Sequence, residues 1–135
     1  MDLMVSVVLL SCAVLSSHST FLGGPSVASV KEDGVQRAMV FAMNEYNRRS
    51  NDMFVNNWYK VNNVTKQIVA GVLYKIDAVV ARTKCKKPTV NFPSCAFHTD
   101  PSFAKNMNCK FEVLAVPWQR RNELKKIECN GRTIF

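Results

Sequence analysis

The residues able to do covalent or acid–base chemistry are few and poorly arranged for it. Five cysteines (Cys12, Cys85, Cys95, Cys109, Cys129) and two histidines (His18, His98) are spread along 135 residues. A nucleophilic Cys–His pair needs a free thiol beside an imidazole. His98, in a segment with Pro88, Pro93 and Pro101, offers the only imidazole of the C-terminal half. Asp77 and Glu112 fall on the polar side of strand-like stretches and read as solvated charges rather than a carboxylate pair. No G-x-x-x-x-G-K-[ST], G-x-G-x-x-G or H-E-x-x-H pattern occurs. Catalysis has no motif behind it, and no cofactor is expected.

The residues that stand out are apolar and sit where loops are expected. They are Phe21-Leu22-Gly23-Gly24 in a Gly/Pro-rich arm, Gln67-Ile68-Val69-Ala70-Gly71 between two strand patterns, and Pro117-Trp118 where a third strand breaks. Apolar side chains held on turns indicate binding, because surfaces otherwise avoid such patches.

The elements that must carry them follow from periodicity. Val35, Ala38, Met39, Ala42, Met43 and Tyr46 recur at spacings of three and four, predicting a helix that ends near Ser50-Asn51-Asp52. From Phe54 the period becomes two. Trp58, Tyr59, Val61, Val64 and Ile68 are the apolar positions of one strand. Val72, Tyr74, Ile76, Ala78 and Val80 form the apolar face of the next, with Gly71 supplying the turn. Cys109 to Val116 predicts a third strand and Leu124 to Cys129 its return. The segment from Phe21 to Ser29 reads as an extended, mobile arm. One helix followed by antiparallel strands is an α+β layout, the helix lying across one sheet face.

Met4 to Leu15 is an uncharged apolar run followed by Ser16, Ser17 and Ser19. It reads as a signal peptide over 1–19, cleaved after Ser19 or alternatively after Ser16, leaving a single domain over 20–135. The alternative is a buried N-terminal helix. Cleavage removes Cys12, and four cysteines in a small secreted chain read as two disulfides. Three pairings exist; Cys85–Cys95 with Cys109–Cys129 closes the short loops that suit hairpins. A zinc site is disfavoured for want of close C-x-x-C ligand pairs, so no metal is expected. Net charge is +8, but the basic residues are scattered, which argues for a solvated basic surface without specific nucleic-acid recognition. Asn63-Val64-Thr65 is a glycosylation acceptor pattern, close enough to Gln67 for a glycan to crowd that turn.

In these residues the chain resembles the type 2 (secreted) cystatin family. Gly23 stands for the arm glycine, Gln67 to Gly71 for the Q-x-V-x-G hairpin and Pro117-Trp118 for the P-W hairpin. The four C-terminal cysteines stand for the two consecutive disulfides. The resemblance implies the cystatin fold and a wedge that enters the cleft of papain-like cysteine proteases (cathepsins) without reacting with the catalytic thiol. It assigns Phe21, Leu22 and Gly23 to the non-primed side, Gln67, Ile68, Val69, Ala70 and Gly71 near the thiol, and Pro117 and Trp118 to the primed side. Some members also inhibit legumain-type endopeptidases through an Asn after the helix, where Ser50-Asn51-Asp52 stands here. A monomer is expected, with a domain-swapped dimer as the other assembly, formed by opening the Gln67–Gly71 hairpin. The competing reading is a non-inhibitory basic protein on the same fold, antimicrobial or polyanion-binding.

Overall fold

The computed structural model describes residues 24–88 and 94–134; the expected signal peptide over 1–19, and Phe21, Leu22 and Gly23, lie outside the described residues. In chain order the elements are β1 (Ser26–Val27), α1 (Asp33–Arg49), β2 (Phe54–Val69), β3 (Gly71–Lys86) and β4 (Asn106–Val116). A 3-10 turn (Pro117–Gln119), β5 (Arg121–Cys129) and β6 (Arg132–Thr133) follow. All strands pair antiparallel with their sequence neighbours in one six-stranded sheet. The strands follow one another across the sheet in chain order, with α1 inserted between β1 and β2 and lying across one face.

The helix is made by its apolar stripe. Val35, Ala38, Met39, Ala42, Met43 and Tyr46 are all buried, and Asn47 extends the stripe by one turn from Met43. Asp33 in the first turn and Arg48 and Arg49 in the last complement the helix dipole. At its start, the Ser29 amide donates to Glu32 Oε2 at 2.8 Å and Lys66 Nζ donates to Glu32 Oε1 at 2.6 Å, tying the helix entry to β2. Gly34, which costs helix propensity, has a steric reason: a Cβ there would stand 2.3 Å from the Tyr74 hydroxyl. Opposite the helix, Tyr74, Ile76, Ala78 and Val80 of β3 alternate inward as predicted, with Phe111 and Val113 of β4 and Ile127 of β5 beside them.

Strand β2 departs from simple alternation. Register shifts fall between Phe54 and Asn56, Trp58 and Lys60, and Val61 and Asn63. Bulges of this kind bend a strand and raise its twist, letting β2 wrap around the helix. They also let Trp58, Val61 and Val64 all pack inward at spacings of three; the Trp58 ring stands 4.8 Å from Phe111 and its Nε1 donates to the Met39 carbonyl at 3.3 Å, while Tyr59 and Ile68 are exposed.

Three other expectations change. The segment read as a mobile arm to Ser29 pairs with β2 through Ser26–Lys66 and Val27–Thr65, and the Ala28 amide donates to the Val64 carbonyl. Strand β5 begins at Arg121 rather than Leu124, because its polar first residues pair through the backbone with Val116, Ala115 and Leu114. The C-terminal residues add β6 after a turn at Asn130-Gly131. Both disulfides have the sequential pairing, Cys85–Cys95 and Cys109–Cys129. The first pins the 94–105 segment to β3, where Phe97 bridges Thr83. The second crosslinks facing residues of β4 and β5.

Candidate functional site

Strand register brings the two apolar turns to one end of the sheet. Val69 pairs with Gly71 across Ala70, so the β2–β3 connection turns on a single residue. Val72 pairs with Ala115, and Ala115 with Asn122, so the β4–β5 turn projects beside the β2–β3 turn. The third component approaches from the other flank. Ser26 faces Lys66 in an antiparallel pair, so the backbone before it runs toward Ile68, and Gly24 heads for the same rim.

Gly71 holds the two hairpins together. Its φ is +120°, a conformation that side chains rarely adopt, and a Cβ there would sit 2.5 Å from the Ala115 carbonyl oxygen. Only a glycine lets the first turn lie flush against the stem of the second. In the second hairpin Val116 is a buried anchor, Pro117 opens the 3-10 turn with a fixed φ, and the Arg120 amide closes it on the Pro117 carbonyl at 3.0 Å. This turn thrusts the Trp118 indole outward, 68% exposed, in contrast to the packed Trp58. Ile68 is 65% and Val69 44% exposed. Ala70 and Pro117 are exposed and Gln67 half-buried. Sequence reasoning passed over Val27, exposed on β1 at the same flank, because a two-residue strand has no period to detect.

Among the described residues, Ile68, Val69, Ala70, Pro117 and Trp118 of the rim offer apolar side chains and no carboxylate, imidazole or thiol. The carboxylates of the sheet are engaged elsewhere: Asp77 faces Lys110, and Glu112 lies between Lys75 and Lys126, so the two sit on separate rungs of an alternating charge ladder. Among the described residues, no group of three or more His, Cys, Asp or Glu side chains could hold a metal ion.

Asn51 lies at the opposite end, beyond the C-terminus of α1. It is exposed, while its neighbours are fixed. Ser50 Oγ accepts from the Asp52 amide at 3.0 Å, and Asp52 Oδ1 accepts from the Phe54 amide at 3.0 Å. Asp52 Oδ2 accepts from Arg82 Nε at 2.9 Å and from Asn56 Nδ2 at 3.2 Å. Lys87 Nζ donates to the Asn47 and Ser50 carbonyls at 2.7 and 2.8 Å. Beneath them, buried Asn47 and the Asn56 backbone exchange two hydrogen bonds. An asparagine four residues after Met43, on the apolar stripe, was the available sequence signal for this support.

Burial pushes the Asp52 carboxyl up, but the Phe54 amide, the Arg82 guanidinium and the Asn56 amide outweigh it and hold the group below its ordinary value of 3.8. A depressed folded-state pKa contributes stability that is present above the unfolded value and lost as pH falls through the folded one. Asp52→Asn is therefore expected to cost about 2 kcal/mol at pH 7 in urea unfolding, typical for hydrogen bonds to a charged group. The deficit should shrink below pH 3.8; an undiminished deficit at pH 3 would refute the carboxylate's role.

Asn63 is exposed on the sheet face away from the helix, since neighbouring Val64 points into the core. Six residues separate it from Val69, about 20 Å of strand.

Comparisons with known proteins agree with this architecture. The cystatin domain family matches residues 23–118, which take in the first hairpin and reach Pro117-Trp118 of the second. The chain is 44% identical over 128 residues to cystatin-2 of Crotalus adamanteus, covering 94% of each sequence. It is 45% identical over 108 residues to cystatin-C of Homo sapiens, covering 80% of this chain and 74% of that protein. Its fold superposes on the crystal structure of dimeric human cystatin F with a TM-score of 0.73 at 25% identity, over 93% of this chain and 98% of the other. With a family match across most of the chain and relatives at 44 and 45% identity, this protein belongs to the cystatin family.

Proposed function

We propose that the protein is a secreted, reversible, tight-binding inhibitor of papain-like cysteine proteases that acts by filling the active-site cleft. The observation that carries this reading is the convergence of Ile68, Val69 and Trp118, solvent-exposed and apolar, on one rim held rigid by Gly71. A preformed wedge loses little conformational entropy on docking, which favours tight binding. Because the described part of the rim has no nucleophile, general acid or base, we assign it occlusion and not turnover. Phe21, Leu22 and Gly23 would extend the wedge along the path set by Gly24, and Val69 and Ala70 would approach the catalytic thiol without presenting a scissile bond. Two disulfides suit an oxidising, extracellular location, and among the described residues no helix is long and apolar enough to cross a membrane.

A second reading concerns Asn51, an exposed amide on a loop braced by Asp52, Arg82 and Lys87. We assign it to inhibition of legumain-type endopeptidases. Since β2 spans 16 residues between the two ends, both proteases would bind at once. In a dimer formed by straightening the Val69–Gly71 turn, the wedge would be dismantled and the Asn51 loop retained.

One pair of variants tests both assignments. Trp118→Ala is expected to weaken papain binding by about 2 kcal/mol, roughly thirtyfold, with legumain inhibition unchanged. Asn51→Ala should do the reverse. Papain activity that survives a large excess of wild-type protein would end the wedge reading.

A further inference from the structure

A cavity of about 380 Å³ opens between the start of α1 and the second hairpin. Three arginines line it from three elements: Arg37 from the helix, Arg120 from the turn and Arg121 from the start of β5. Tyr74, Pro117 and Asn122 complete its polar and apolar walls. None of the three guanidinium groups has an ion-pair partner among the described residues, whereas Arg48, Arg49 and Arg82 are all paired with carboxylates. Of the carboxylates near the cavity arginines in sequence, Glu32 is committed to Lys66 and Glu123 to Lys125.

Two features indicate that this charge is held for something outside the chain. Arg120 adopts φ +48°, in the left-handed region that Gly or Asn enters without strain and that costs other residues about 1 kcal/mol. A long cationic side chain therefore stands where the backbone alone would favour a small one. Further, the positive end of the α1 dipole adds to the field of three arginines crowded around one hollow, so an anion there would relieve their mutual repulsion.

The site's position identifies the anion. Pro117 both lines the cavity and precedes Trp118, so a surface that meets the indole passes close to the cavity. An ordinary interface buries about 800 Å² per partner, a patch roughly 16 Å in radius, which takes in the arginines at its rim. A hollow bounded by Val72, Val116 and Pro117 suits a single side chain better than a polymer. Guanidinium groups pair with carboxylates in a two-pronged, directional manner.

We propose that this cavity receives an acidic side chain from the wall of the inhibited protease and biases the inhibitor toward papain-like proteases with an acidic primed-side rim. This rests on the inhibitory reading above. The test measures association and dissociation with two papain-like proteases, one acidic at that rim and one neutral. Three proteins are compared: the wild type, Arg37→Ala/Arg120→Ala/Arg121→Ala, and a control, Lys60→Ala/Lys84→Ala/Lys110→Ala, that removes equal charge from exposed sites elsewhere. All six side chains are on exposed residues, and thermal melts establish that each variant is folded.

The arginine variant should raise Kd tenfold or more for the acidic protease alone and flatten its salt dependence, while the control leaves the preference intact. Equal losses on both proteases, no loss on either, or a control that matches the arginine variant would overturn the proposal. So would heparin retention lost in the arginine variant with both protease Kd values unchanged, which would make the cavity a polysaccharide site. A wild type that inhibits neither protease would instead overturn the wedge itself.

Discussion

Gly71→Val is expected to weaken papain inhibition at least a hundredfold, the largest loss of any single substitution on the rim. Two costs arise together. The φ of +120° lies outside the wells open to a β-branched residue, a penalty of about 1–3 kcal/mol. The new Cβ would also meet the Ala115 carbonyl oxygen at 2.5 Å, a contact with backbone that no rotamer relieves. The first hairpin must then swing away from the second, and Val69 and Trp118 lose their fixed spacing. Gly131→Val is the matched control: its φ is +80°, but nothing stands within 4 Å of the added Cβ. It should lose about 1 kcal/mol of stability through conformation alone and keep full inhibition. If Gly71→Val inhibited papain within threefold of wild type, the claim that the hairpins act as one rigid surface would be wrong.

The same contact shows why part of this site could be read from sequence and part could not. Gly71 and Pro117-Trp118 declare themselves, because each breaks a strand period with a residue suited to a turn. Their convergence also follows from counting antiparallel strands: an odd number of reversals between two turns returns them to one end. The inward faces of α1 and β3 were legible because each obeys one unbroken period. Strand β2 was less so, since its register shifts turn Trp58, Val61 and Val64 inward at spacings of three, while Ile68, on the same face as Val64, is exposed.

Strands β1 and β6 left no trace, because two-residue strands take their stability from the partner's backbone and not from their own side chains. The steric need for Gly34 depends on the Tyr74 hydroxyl, which reaches it only in the folded sheet. The arginine cavity was hidden for the same reason. Arg37 and Arg120 are far apart in sequence, and no short motif records that α1 starts where the second hairpin turns.

The other large effect lies far from the rim and should touch stability alone. Phe111 is completely buried at the centre of β4, between Ile76 and Ile127 in register, with Trp58 and Tyr46 meeting its ring edge-on at 4.8 and 6.2 Å. Truncation to Ala should cost about 4 kcal/mol through lost apolar burial and an unfilled cavity, because the surrounding helix and strands cannot collapse fully around it. That is a large share of the roughly 5–15 kcal/mol that holds a domain together. The Cys109–Cys129 crosslink, two residues away on the same pair of strands, restricts the unfolded chain and should keep the variant folded at room temperature.

Thermal unfolding should therefore shift by roughly 15 °C, on a scale of about 4 °C per kcal/mol for a domain of this size. Papain affinity of the folded protein should stay within threefold. Trp118→Ala should show the converse, an unchanged melt and impaired binding, because its indole is 68% exposed. Should Phe111→Ala lose inhibition while still folded, the rim would have to depend on core packing, and the rigidity assigned to Gly71 and the 3-10 turn would not be local.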